Sequence, residues 1–332
     1  MLESLQRACD QLIENYDRIV PGNRMEYDTL LVTGAAMYLA RGEEVDPEGL
    51  EMCRRLLKQR KGVFSSVRGI AEFIVRCKMA LSPDPECYLE QLDAVYNGLR
   101  SFFSGDQVLL AATVIADLAA PEKQDEAVQR TKALYGEMKK AHPWLTSQED
   151  MPFAALMAVT VKDGAAVYEE AEKVYELLKE NLKASGESRQ MLSHILSLYQ
   201  GHAESKCGKL CALDEGLRNT KHALDRSRCL PILGTLAASR PGVDDLVTMI
   251  GEADDYLKQF KPFKGLFGVG SDVRRMVAVQ LVESVTGGGA CAVAEPSAVS
   301  SVVSSSINVT IITLILMLAI VAATSASTSA SR

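Results

Sequence analysis

The chain has 332 residues, of which 36 are basic and 43 acidic, with a net charge of -7, 47% hydrophobic and 24% charged residues. That balance excludes a largely disordered chain, since enough apolar side chain exists to offset the ordering entropy. It also excludes a global cationic field for a phosphate backbone, so no nucleic-acid partner is predicted.

The first residues, Met1 to Asn15, lack a basic-then-apolar leader, and the eight cysteines are irregularly spaced; both features predict a reducing cytosol. Along the chain one pattern then recurs. An aromatic or apolar anchor followed by apolar residues three or four places on appears at Tyr16, Cys53, Tyr96, Tyr135, Tyr175, Leu217 and Tyr256, at spacings of 37 to 43 residues. The mean of 40 is the length of two helices and two turns, which predicts an all-α fold of about seven helical hairpins over residues 1–285.

The clearest anchor helix carries Val167, Ala171, Val174, Tyr175, Leu178 and Leu182 on one stripe, with Glu169, Glu172, Lys173, Glu176 and Lys179 on the solvated face. Each anchor helix is followed by a more apolar one, as at 108–118 (VLLAATVIADL), 153–159 (FAALMAV), 191–198 (MLSHILSL) and 276–282 (MVAVQLV). A helix apolar nearly all round is a buried one, so these form an inner row. Ser104-Gly105-Asp106, Ser147 to Asp150, Ser185-Gly186-Glu187 and Ser271-Asp272 supply capping oxygens at their starts, and Pro152 and Pro231 sit where a missing N–H costs little. Such hairpins cannot shelter their apolar helices singly. Stacked antiparallel hairpins, an α-solenoid-like array, are therefore expected, with the loops joining first to second helix along one edge.

After the array, 286–306 is rich in Ser, Gly and Val and reads as a linker. Residues 307–324 are expected to form an apolar helix and 325–332 a polar tail; Ile307 to Ala323 is free of charge. Two readings stand for the helix, a membrane anchor or a segment that docks on the repeat domain or self-associates.

Residues with chemical potential do not assemble into a motif. His194, His202, Cys207 and Cys211 are zinc-ligand types without the spacing of a paired clamp. Gly265, Gly268 and Gly270 precede a helix beside Lys261, Lys264, Arg274 and Arg275, but Asp272 would put a carboxylate where an anion should sit. No Ser-His-acid or Cys-His set emerges, so no catalytic residue, cofactor or metal is predicted. The loops are more informative. Phe64, Arg68, Phe102, Trp144, Phe267 and Arg274 fall in or beside loops of the expected edge, and aromatics beside arginine are common protein-binding anchors.

The stretch Val63-Phe64-Ser65-Ser66-Val67-Arg68-Gly69, the stretch Ala141-His142-Pro143-Trp144-Leu145-Thr146-Ser147 with FAALMAV after it, and Gly265-Leu266-Phe267-Gly268-Val269-Gly270 together resemble a bacterial family catalogued as domain of unknown function 4003. The resemblance covers roughly residues 10–285. It implies a cytoplasmic bacterial protein and carries over no activity or functional residue. The leading reading is a non-enzymatic helical-repeat scaffold that binds a protein partner through the aromatic edge. Its alternatives are an enzyme or small-ligand binder using His194, Arg189 and Asp117 inside the superhelix, and a scaffold tethered to a membrane through 307–324. The oligomeric state is left open.

Overall fold

An amphipathic helix followed by a nearly all-apolar element is the unit the chain repeats. In the computed structural model, which describes residues 1–59, 70–100, 105–160, 164–227, 229–264, 269–287 and 310–311, these units follow one another without a strand among the described residues. They are α1 (Glu3–Ile19) with α2 (Asp28–Arg41), α3 (Pro47–Gln59) with α4 (Ile70–Ala80), α5 (Pro85–Leu99) with α6 (Asp106–Leu118), and α7 (Gln124–Ala141) with α8 (Met151–Thr160). Then come α9 (Gly164–Asn181) with α10 (Gly186–Ser197), α11 (Ala203–Arg218) with a 3-10 helix at Leu230–Leu236, and α12 (Val243–Leu257) with α13 (Ser271–Thr286).

Every anchor residue falls on the first helix of its pair. Several anchors are tyrosines, buried at Tyr16 and Tyr135 and partly buried at Tyr256, whose hydroxyls tie that helix to another element. Tyr16 Oη donates to Asp28 at 2.6 Å, Tyr135 Oη to the Ser147 carbonyl at 3.1 Å, and Tyr256 Oη to Asp10 at 2.6 Å. The second elements are buried without interruption over 30–38, 108–115, 151–158 and 276–283. Eight consecutive residues make more than two helical turns, so these helices are covered in every direction. The second element after α11 departs from the expected α-helix. Pro231 withholds an N–H, and a side chain at Gly234 would meet Ile195 Cγ2 at 2.9 Å, so the backbone lies tight against α10 as a short 3-10 helix.

The chain divides into two compact units, one of residues 11–159 and one of 1–10 with 160–332. Within the first, α2 packs on α4 and α4 on α6, while α5 packs on α7. Within the second, α9 packs on α11 and α11 on α12, and the inner elements follow as α10, the 3-10 helix and α13. First helices thus contact first helices, and second elements contact second elements.

Side chains from first helices hold the turns between pairs. The Asn15 amide donates to Glu43 O and accepts from Val45 N–H, at 3.1 and 3.0 Å. Buried Lys206 donates to Leu196 O and Tyr199 O, at 2.8 and 2.9 Å, placing its charge at the carbonyl end of α10. Gly42 and Gly287 close α2 and α13 at φ of 69° and 79°, where a side chain would be strained.

Candidate functional site

Of the six exposed large hydrophobic residues among those described, Met25, Tyr27 and Trp144 lie in loops joining first to second elements. In the unit of 1–10 and 160–332, the loop after α11 is held from both sides. Ser188 Oγ at the start of α10 donates to Ser227 O at 3.1 Å, and Arg275 at the start of α13 donates to Lys221 O and Ala223 O, each at 2.9 Å. Three consecutive hairpins are joined by these bonds.

Beneath them Asp254 is fully buried on α12. One of its oxygens accepts from Arg274 Nε at 2.6 Å, and the other lies 2.7 Å from His222 Nδ1. A buried carboxylate is tolerable only with such partners, and here they come from a loop and from the next helix. Its neighbour Asp255 faces His222 Nε2 at 3.7 Å and pairs with Lys258 and Lys221 at 2.7 and 2.9 Å. Burial alone would raise the Asp255 carboxyl, but hydrogen bonds from the two lysines hold it down to about 2. Nearby, buried Asp214 accepts from Arg218 Nε at 3.1 Å and from Arg226 Nε at 2.9 Å.

His222, Asp254 and Asp255 also bring metal-ligating atoms within 4.8 Å of one another, the one such group among the described residues. The donor set does not suit a cation. Both Asp254 oxygens are already engaged, and Arg274, Lys258 and Lys221 surround the pair with positive charge. The group is a structural tie.

The unit of 11–159 holds its first loop by a comparable device. Buried Asn23 accepts at Oδ1 from Arg54 Nη2 and Arg76 Nη1, at 2.8 and 2.9 Å. Arg76 is 1% exposed. Burial and the adjacent Arg54 both lower its pKa, offset by Glu72 and Glu26 at 3.6 and 3.7 Å. Beyond this tie, the same loop sends Met25 and Tyr27 into solvent, 96% and 67% exposed.

The α7–α8 loop does the same with Trp144, which is 97% exposed. That turn is well held. Lys139 Nζ donates to Pro143 O and Thr146 O at 2.7 and 2.6 Å, and Thr146 Oγ1 to Met138 O at 3.0 Å. Ser147 and Asp150 form a capping box that starts the next helical turn. Burial pushes the Asp150 carboxyl up to about 6, although the Ser147 N–H opposes the shift. The indole therefore stands on an ordered turn whose polar groups are satisfied below it.

Of the residues singled out from sequence, Phe64, Arg68, Phe102 and Phe267 lie outside the described residues. Trp144 is at the surface. Arg274, expected on the binding edge, is instead buried, because Asp254 draws its guanidinium inward. For the alternative pocket, His194 is buried on α10 and Arg189 half-buried at its start, while Asp117 accepts from Tyr88 Oη at 2.8 Å and pairs with Lys78. Burial pushes the Cys9, Cys77 and Cys207 thiols up to about 12 and Cys53 to about 11, which removes them as thiolate nucleophiles. The ties at Asn23 and Asp254 were not foreseen. Each gathers residues from separate hairpins, and the local sign was charge within inner elements that carry long apolar runs, Arg76 in α4 and Arg274 in α13.

A family model described as a protein of unknown function (DUF4003) matches residues 15–318, well over half the chain. YeaA, an uncharacterized protein of Bacillus subtilis (strain 168), is 24% identical over 213 residues, 60% of this chain and 63% of that protein. The chain thus spans less than two-thirds of that relative's length. No solved structure matches.

Proposed function

The chain belongs to the DUF4003 family, and from that premise we propose that it is a non-enzymatic helical-repeat scaffold, α-solenoid-like in its stacking, that binds a protein partner through its first-to-second loops. The observation that carries this reading is Trp144, 97% exposed on an ordered turn. Tryptophan is rarely left wet, and it is among the residues that dominate protein interfaces. Met25 and Tyr27 on another first-to-second loop of the same unit extend the same chemistry. Phe64, Arg68, Phe102 and Phe267 are kept as candidate contact residues on their positions in the sequence alone. Arg274 does not, since its guanidinium serves Asp254. A bacterial cytoplasm suits the chain, and the free state of the seven described cysteines supports that assignment.

The test is a photo-crosslinking side chain at position 144 in the native cell, alongside Trp144→Ala. One dominant adduct, and loss of that complex in the Ala variant at unchanged melting temperature, is expected. A Trp144→Ala chain that keeps every complex of the parent would contradict the reading.

A further inference from the structure

Arg76 is buried, yet most of its donors go unspent. Nη1 donates to Asn23 Oδ1 at 2.9 Å. Nε–H and Nη2–H, which together make the side-on fork that grips a carboxylate, are buried and reach no hydrogen-bond acceptor among the described residues. Glu72 and Glu26 stand off that fork at 3.6 and 3.7 Å, within ion-pair reach but beyond hydrogen-bond length. Leaving two donors of a buried cation unbonded is costly, so a nearby arrangement that bonds them competes with this one. The guanidinium itself is held, since Asn23 fixes one nitrogen and the Phe73 ring lies 5.1 Å from its central carbon. Glu26 instead sits on a short strap pinned at both ends. On one side Asn23 is buried, donates to Ile19 O at 2.9 Å and accepts from Arg54; on the other, Asp28 accepts from Tyr16 Oη at 2.6 Å. Between these pins Met25 and Tyr27 stand in solvent on either side of Glu26.

We propose that residues 24–27 are a strap with a second, closed state, in which Glu26 advances by about 1 Å to the ~2.8 Å of a charge-assisted bond and engages the Arg76 fork. Met25 and Tyr27 flank Glu26 and move with it. Glu72 is the rival acceptor: it lies one turn before Arg76 on the same helix, and its charge weakens the pull on Glu26. The use of the strap rests on the reading of Met25 and Tyr27 as partner-contact residues. A partner pressing on the outside of the strap then favours the closed state, and the buried arginine fixes the surface in the shape its occupant selects.

Methyl relaxation dispersion on the full chain, labelled at the methionine methyl groups, reads the strap at Met25. A two-state strap gives microsecond-to-millisecond exchange at that methyl. Glu26→Ala and Arg76→Met are each expected to abolish the exchange, and Glu72→Gln, which removes the rival charge, to raise the closed population about twofold or more. A Met25 methyl without exchange in the parent, or exchange undiminished by Glu26→Ala, would overturn the proposal. Crosslinking from position 144 reports separately on partner binding. A dominant adduct there beside a Met25 without exchange strikes the strap alone, whereas exchange at Met25 with no adduct leaves the strap standing and strikes the binding surface.

Discussion

The two compact units use the same hairpin but finish its loops differently. In the unit of 1–10 and 160–332, the loop after α11 is tied by Arg275 and Ser188 above and by His222, Asp254 and Arg274 beneath. In the unit of 11–159, the loops of the first and fourth hairpins satisfy their polar groups and then leave Met25, Tyr27 and Trp144 in water. The difference separates two uses of a loop. Charged side chains that meet one another join hairpins and are spent in doing so, whereas an apolar side chain held out by a satisfied turn remains available to a partner.

The comparison is sharpest at Asp254. Asp254→Ala strands Arg274 and His222 in a buried site, and loss of about 3–5 kcal/mol is expected, read from the denaturant midpoint, with faster amide exchange over 219–229 and 271–286. A loss below about 1 kcal/mol would remove the node from any role in joining hairpins. Next in size is the pH response of the Trp144 turn. The Asp150 carboxyl is raised to about 6 in the fold, above its unfolded value, so its contribution to stability is fully present below about pH 4 and is lost as pH rises through about 6. Amides 147–151 should therefore open more readily at pH 7 than at pH 4, by at most about 2–3 kcal/mol, and Asp150→Asn should flatten the slope. An unchanged slope in that variant would assign the response elsewhere. Smaller still is Arg76→Met, at about 1 kcal/mol. Asn23 Oδ1 keeps Arg54, Glu26 and Glu72 retain partial access to water, and methionine refills the volume of the arginine stem. A cost equal to that of Asp254→Ala would erase the distinction between the two nodes.

Much of the fold was legible because it rests on apolar periodicity. The anchors Tyr16, Tyr135 and Tyr256 located first helices, and 108–118 fell within the bounds of α6 almost residue for residue. The 3-10 helix at Leu230–Leu236 was less legible, since its departure depends on how closely Gly234 approaches Ile195. The site was legible only in part. Trp144 declared itself by its position in a loop between two strong helices. The Asp254 tie could not, because a charged residue on a helix reads as solvated unless one knows what the next hairpin delivers to it, and Arg274 was for that reason assigned to the surface.

One measurement bears most directly on the binding edge. Trp144 is the chain's single tryptophan, so acrylamide quenching of its emission in the isolated protein reports on that loop alone. Quenching as efficient as that of a free indole is expected, falling when the partner is bound. A blue-shifted emission protected from the quencher in the isolated chain would mean the ring is folded inward, and the edge would lose its anchor.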